Sequence, residues 1–384
     1  MRILHVTKKY PKAIGGDSIC VFNLEREQAK NGHKVFILTS NSYEIINKDN
    51  LYKFGIRDTA NNWDRITLKR ILSLVLFFIK SLWVLREIKP EIIHSHSADL
   101  GFIISIWAKL IHIPIINTCH GVTFPYEFLS KTKRFAELFF LRFGFFDKII
   151  TVDPNSLEFF RKYRLRNYEY LNILGVDADQ FKKIKDKIFI SEKHRYPKFI
   201  FVGRIDPLKG LDYLIHAAAK LKEKIEYFEV WIIGDGPHKE NLIKLSIQLR
   251  IDKYIKFFKA ITDRKRLTRM YCLADVFILP SLVEGFPLVI LEAWAAQLAV
   301  ITNNIGGITR CGRNGENMLI ASPKDIEGLS SAMFTLIKNE NLRIKIGFNG
   351  RLLVEQGYAW NKVILDLDSL LSKLSKTRRR MAHS

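Results

Sequence analysis

Two stretches of this chain open in the same way, and their repetition limits the fold more than any other feature. Near the N-terminus "RILHVT" reads as a strand, "KKYPKAIGGD" as a loop and "SICVFNLEREQAKN" as a helix. Gly32 stops that helix, and "HKVFILTS" reads as a second strand. That is a βαβ unit, the opening of a doubly wound parallel sheet. Near residue 197 the pattern restarts: "PKFIFVGRI" is a strand, "LDYLIHAAAKLKEK" its helix and "FEVWIIGDG" the next strand.

Each opening is followed by more units of the same kind. In the first half a basic apolar helix over 66–88 leads into "PEIIHSHS", a helix over 98–111 into "IPIINTCHG", and "TKRFAELFFLRFGF" into "DKIITVD". In the second half "HKENLIKLSIQLR" leads into "DKYIKFF", and "RKRLTRMYCLA" into "DVFILPS". "LAVITNN" reads as a further strand, and helices close the chain from about 324. Between the halves, 172–187 reads as a polar, lysine-rich linker. The expected architecture is α/β: two tandem Rossmann-like doubly wound domains with a cleft between them. The boundaries are 1–180, 181–365 and, over 366–384, a C-terminal helix end with a basic tail. Ligands of such sheets bind beyond the carboxyl ends of the strands.

At 384 residues and 48% hydrophobic, the chain can bury substantial cores, which excludes wholesale disorder. Its 61 Lys plus Arg against 39 Asp plus Glu leave a net charge of +22. Such a surface favours polyanions: nucleic acid, anionic lipid or phosphate-bearing substrates. Cys20, Cys119, Cys272 and Cys311 stand far apart without a C-x-x-C, so neither a disulfide framework nor a zinc pattern is present, and a reducing cytoplasm fits. The longest apolar run, "ILSLVLFFI", is about half of what spans a bilayer.

The chemistry-bearing residues concentrate in the second half. "GRIDPLKG" places Arg204 and Lys209 on the loop after a strand, a planar fork of donors and a compact charge. "PSLVEGFPLVILEAWA" carries two carboxylates in an apolar setting, Glu284 and Glu292. Pro287 suits the first helical position, so a helix begins near it and its free N–H groups favour an anion. Glu292 then lies about 7–8 Å along the helix. Among Ile290, Leu291, Ala293 and Trp294, a carboxylate without partners would be costly.

These motifs, with "IGGDSICVFNLEREQAKNGHKV", "CHGVTF", "GVDADQF" and "IIGDGP", resemble the retaining glycosyltransferases of family 4, whose architecture is GT-B. The resemblance covers most of the chain, and its most specific mark is the pair of glutamates with seven residues between. It implies transfer of a sugar from a nucleotide-diphosphate donor to an acceptor hydroxyl with retained configuration. Arg204 and Lys209 would stabilise the departing diphosphate, so no metal and no cofactor is implied. The backbone at Phe286, Pro287 and Leu288 would lie beside sugar and phosphate. Glu292 would hold the ribose hydroxyls and Glu284 the sugar hydroxyls near the reacting carbon. His120 would contact the sugar. Gly15 and Gly16 would approach donor or acceptor, although turn geometry alone accounts for such a dipeptide.

Ile261 is expected beside the nucleobase, and the donor sugar is expected to be UDP- or GDP-linked. Lys259 stands where the family usually has Gly, and Thr309-Arg310 where it commonly has Pro-Glu. The pair His94 and His96 looks like a metal pair, but no third ligand is assigned and ordinary polar contacts explain it. Asp177 and Asp179 form a D-x-D, which at the family's "GVD" position is not read as metal binding.

The basic apolar helices of the first half are read mainly as core. Their surplus cations suit an anionic membrane surface, which makes a saccharide or lipid-linked saccharide acceptor the expected partner. The setting is surface or envelope polysaccharide (lipopolysaccharide) synthesis at the cytoplasmic face. Three other readings share some of these features. A sugar-nucleotide epimerase has the same fold. A nucleic-acid-binding protein would explain the charge, but no binding motif supports it. A silent partner subunit would have no need of the retained Arg, Lys and both Glu.

Overall fold

The structure, a computed structural model, describes residues 1–10, 16–41, 49–54, 68–121, 131–186 and 197–383. The chain divides into two compact units, Met1–Leu174 with Val363–Ser384, and Gly175–Lys362.

In the first unit β1 (Arg2–Lys9), α1 (Gly16–Lys30), β2 (Lys34–Asn41) and β3 (Leu51–Lys53) come first. Then follow α2 (Leu68–Ile88), β4 (Ile92–Ser95), α3 (Ala98–Leu110), β5 (Ile115–Cys119) and α4 (Lys131–Phe143). β6 (Lys148–Thr151), α5 (Ser156–Lys162) and β7 (Tyr168–Tyr170) complete the alternation. The strands form one seven-stranded sheet in the order β3-β2-β1-β4-β5-β6-β7, and every pairing is parallel. The order reverses between β1 and β4, so the loops after these two strands diverge and leave room for a ligand.

The second unit repeats the plan. It runs through α6 (Ala178–Lys185), β8 (Lys198–Val202), α7 (Leu211–Lys222), β9 (Glu229–Ile233) and α8 (Lys239–Gln248). Next come β10 (Ile255–Phe258), α9 (Arg264–Cys272), β11 (Val276–Leu279), α10 (Leu288–Ala295) and β12 (Ala299–Asn303). α11 (Ile308–Cys311), β13 (Leu319–Ala321), α12 (Ile326–Lys338) and α13 (Glu340–Gly357) complete this unit, and α14 (Trp360–His383), which ends the described chain, belongs to the first unit from Val363 on. The six strands, ordered β10-β9-β8-β11-β12-β13, are all parallel and reverse between β8 and β11.

The central strands read as continuous apolar runs because helices cover both faces of a parallel sheet. Ile3, Leu4 and Val6 of β1 and Phe277, Ile278 and Leu279 of β11 are essentially inaccessible to solvent. The edge strands β3, β7 and β13 span three residues each, too few to show a period, and the sequence reading passed over them. The polar linker is corrected in part: it holds α6, capped by Asp177, whose carboxylate accepts the Gln180 N–H at 3.0 Å. Only Ala178 and Phe181 of that helix are buried, so its lysines hid the helical pattern.

The expectation that the first unit's apolar helices are mainly core holds for most of their Leu and Phe residues, but each helix also has an exposed apolar face. α2 buries Phe77, Val84, Leu85 and Ile88, yet exposes Leu72, Val75, Leu76, Ile79 and Trp83 on the opposite face. In α4 Leu141 is buried, whereas Phe135 (73% exposed), Phe139 and Phe143 face water. No described helix is long and apolar enough to cross a membrane.

Candidate functional site

The carboxyl ends of the second sheet carry most of the singled-out residues. After β8 the chain turns sharply over Pro207–Lys209, and Asp206 caps that turn by accepting the Leu208 N–H at 3.0 Å. Arg204 pairs with the same Asp206 at 2.6 Å and is itself 62% exposed, a cation held at its base with an open face. Gly210 closes the turn at φ 64°, and a Cβ there would lie 2.2 Å from the Pro280 carbonyl oxygen. Only glycine allows that approach. It brings the loop after β8 against the loop after β11, where the Leu282 N–H donates to Leu208 O at 2.8 Å.

The consequence is a contact that the spacing in sequence hides. Lys209 Nζ donates to Glu284 Oε1 at 2.6 Å, and Ser281 Oγ donates to the same oxygen at 2.8 Å. The loop that carries Glu284 is braced from β12: Asn303 Nδ2 donates to Ser281 O at 2.9 Å, and Thr302 Oγ1 to Leu279 O at 3.0 Å. It is braced again at Gly306, φ 59°, where a Cβ would meet Glu284 O at 2.3 Å. Pro287 is the N-cap of α10 rather than its first residue, with extended backbone and no side-chain cap. Leu288 therefore opens the helix, and the Phe286 ring lies 5.6 Å from that of Tyr358.

Glu292 is 7% exposed, so its charge is met inside the protein. Arg264 Nη2 donates to Oε1 at 2.6 Å and Tyr271 Oη to Oε2 at 3.0 Å. The Glu292 carboxylate raises the ionisation of the Arg264 guanidinium, against the effect of burial. Burial and then the same carboxylate push the Tyr271 phenol well above its ordinary value. Sequence reasoning missed both partners. The signal was present: residues 264 and 271 are two turns apart on α9, on one helical face. The two glutamates share no cation, since Glu284 faces Lys209 and Glu292 faces Arg264.

Ile261 is half-buried on the loop after β10. That loop is tied to the end of β9, because Asp235 accepts the Ala260 N–H at 2.9 Å and Lys239 Nζ at 2.9 Å. The Ala260 N–H and Lys239 hold the Asp235 carboxyl below its usual range. Lys259 is exposed beside it. Thus Arg204, Lys209, Ile261, Glu284, Phe286, Pro287, Leu288 and Glu292 all belong to one end of one sheet. Asp177 is spent as a helix cap. The Arg310 side chain lies outside the described residues.

In the first unit His120 follows β5, half-buried. Gly16 begins α1, and Gly15 lies outside the described residues. The third histidine that the sequence left unassigned beside His94 and His96 is His5 of β1: one ring nitrogen from each lies within 4.8 Å of the others, a spread that would suit a metal ion. Hydrogen bonds already engage these rings, however. His5 lies 2.8 Å from both His96 and Gln28, His94 2.7 Å from Thr118, and His96 3.0 Å from His120. Burial lowers the ionisation of His5 to about 4 and holds His94 and His96 well below the ordinary histidine value. All three rings are therefore neutral at pH 7. The four cysteines are free thiols.

Comparison with known proteins fits this arrangement. The family model described as Glycosyl transferases group 1 matches residues 182–353, and that of Glycosyltransferase Family 4 matches 14–169. An uncharacterized glycosyltransferase of Methanocaldococcus jannaschii is 25% identical over 94% of this chain and 96% of its own. The capsular polysaccharide biosynthesis glycosyltransferase CapM of Staphylococcus aureus is 28% identical over 90% of this chain and 92% of its own. Among solved structures, Anabaena Alr3699/HepE in complex with UDP-glucose superposes with a TM-score of 0.79. It covers 97% of this chain and 100% of that one at 16% identity, a likeness of fold. The chain belongs to the group 1 glycosyltransferases of GT-B fold, family 4 in type, and is an enzyme that transfers sugars.

Proposed function

We propose that this enzyme moves a sugar from a UDP- or GDP-linked donor to a hydroxyl of a saccharide or lipid-linked saccharide, retaining the anomeric configuration, in the assembly of a surface polysaccharide. The observation that carries the reading is the meeting of Lys209 with Glu284 at 2.6 Å beside the start of α10. A cation, a carboxylate and a helix N-terminus at one strand end can serve a diphosphate and the hydroxyls next to it.

In this reading Lys209, Arg204 and the first N–H groups of α10 take up charge as the diphosphate leaves, and no metal is required. Glu284 grips sugar hydroxyls and Glu292 the ribose, the latter beside Arg264. Ile261 lies along the base. His120 of the first unit contacts a sugar hydroxyl, with Gly15 and Gly16 close to donor or acceptor. Among the described residues no carboxylate stands out as a covalent nucleophile, so the acceptor attacks from the face that the diphosphate leaves, and its proton passes to the leaving phosphate. The capsular polysaccharide relative and the UDP-glucose-bound structural neighbour support the substrate classes.

Peripheral attachment to the cytoplasmic face of a membrane belongs to the same reading. Its support is the apolar side chains that α2 and α4 expose among the described residues, on helices that also carry exposed Lys80, Arg86, Lys131 and Arg142. Apolar side chains ringed by cations suit an anionic bilayer surface.

Thermal stabilisation by a panel of UDP-, GDP- and ADP-sugars tests the donor class, since a ligand of the folded state raises apparent stability. Product analysis with the stabilising donor then reads the anomeric configuration. Stabilisation by none of them, or an inverted product, would overturn the reading. Conversion of the donor without any acceptor would mark an epimerase instead.

A further inference from the structure

Four buried or half-buried groups of the first unit form a hydrogen-bonded line with a defined direction. Gln28 of α1 and His5 of β1 are fully buried, and His96 is nearly so. Gln28 Oε1 lies 2.8 Å from His5 Nε2, His5 Nδ1 lies 2.8 Å from His96 Nε2, and His96 Nδ1 lies 3.0 Å from His120 Nε2. An amide oxygen only accepts, so His5 carries its proton on Nε2. A neutral imidazole has one N–H, so His5 Nδ1 is a lone pair and must be met by a donor. His96 Nε2–H is that donor, which leaves His96 Nδ1 to accept from His120 Nε2–H.

We propose that Gln28 is a positioning residue that fixes the proton of His120 on Nε2 through His5 and His96, so that Nδ1 serves as a hydrogen-bond acceptor for a ligand hydroxyl. The identity of that hydroxyl, one on a sugar, rests on the glycosyl transfer proposed above; the tautomer does not.

Two further features act in the same direction. Every N–H of the line points toward α1, where Glu25 is buried and bonded to Tyr10 Oη at 2.9 Å and Asn50 Nδ2 at 3.3 Å. A carboxylate at that end favours the N–H dipoles aimed at it, and its charge is felt at His5. The reverse alignment needs Gln28 turned so that Nε2 donates to His5. All three protons would then sit on Nδ1, against the field of Glu25, and His120 would present a donor. His94 lies tilted against His96 with ring centroids 4.1 Å apart and bonds Thr118, so it flanks the line without joining it.

The tautomers are read directly by 15N-histidine labelling of the full chain without ligand, at pH 8, from long-range 1H–15N correlations. Single His→Gln variants assign the signals. His5, His96 and His120 are expected as Nε2–H tautomers. Gln28→Glu, which keeps an acceptor, preserves the pattern, whereas Gln28→Met lowers the Nε2–H to Nδ1–H ratio of His120 at least threefold. His120 protonated on Nδ1 in the wild-type chain overturns the proposal even if the Met variant fails to fold, and so does an unchanged ratio in a folded Met variant. The spectrum involves no donor or acceptor, so its outcome stands apart from any failure of sugar transfer.

Discussion

Lowering the pH from 7.5 to 5.5 should loosen the first unit by several kcal/mol. Three histidines at the centre of its sheet, His5, His94 and His96, are buried and neutral, the first titrating at about 4 against 6.5 for the free side chain. Between those values the unfolded chain binds protons that the folded one refuses. Stability from these groups is therefore complete above 6.5 and falls as the pH drops toward 4. At pH 5.5 an unfolded histidine is roughly nine-tenths protonated, which costs the folded state about 1.4 kcal/mol per ring, or up to about 4 kcal/mol for three. That is a large share of the ~5–15 kcal/mol typical of a domain. Hydrogen exchange of the β1, β4 and β5 amides at pH 7.5, 6.5 and 5.5, corrected for intrinsic rates, measures the loss. His94→Gln should reduce the pH slope by about a third, because one of three protons is no longer taken up on unfolding. A fall of less than about 1 kcal/mol in the slowest amides would refute the account of neutral buried rings.

Three further outcomes follow from the geometry. Arg264→Ala strips Glu292 of its cation and should lower the stability of the second unit by about 1–3 kcal/mol in urea unfolding, while adding Glu292→Gln recovers part of that loss because no unpaired charge remains. Gly306→Ala forces a Cβ toward Glu284 O at a positive φ, so turnover should fall at least tenfold with far-ultraviolet circular dichroism unchanged. Replacing Phe135, Phe139 and Phe143 together by Ser should abolish flotation with anionic liposomes yet spare transfer to a water-soluble acceptor; flotation that persists removes that face from membrane binding.

The architecture was legible because parallel sheets advertise themselves. Their central strands are short apolar runs, and each is followed by a helix of clear period, so both sheets and their restart near 197 could be read. The short edge strands and the lysine-rich α6 escaped, since three residues show no period and two buried apolar positions show little more. Within the site, residue types and loop positions were legible, but pairings were not. Nothing in the spacing of Lys209 and Glu284 discloses that Gly210 lets one loop lie against the other. Nor could "HSH" disclose that β1, its neighbour in the sheet, would bring His5 alongside. The exposed phenylalanines of α4 escaped for another reason: apolar content states that a face avoids water, not what covers it.

Pairing changes what the charged residues should do. Arg204 and Lys209 stand against Asp206 and Glu284, so these four groups together carry no net charge. A diphosphate arriving there meets two cations already partly satisfied and two carboxylates that repel it. Removing one carboxylate should therefore strengthen the binding of a nucleoside diphosphate that has no sugar for Glu284 to grip. Glu284→Gln keeps the shape and an acceptor for Ser281 while freeing the charge of Lys209. At an effective dielectric near 20, loss of one repelling charge about 6 Å away is worth on the order of 1–2 kcal/mol after screening, a tightening of roughly five- to thirtyfold. The same variant should lose transfer activity, because on the proposed reading Glu284 is the carboxylate that grips the sugar. Titration calorimetry with the nucleoside diphosphate of the stabilising donor, at two ionic strengths, separates these effects. Weaker nucleoside-diphosphate binding in the variant would mean that Glu284 supports the diphosphate by holding Lys209 in place, and the charge-cancellation argument would fail.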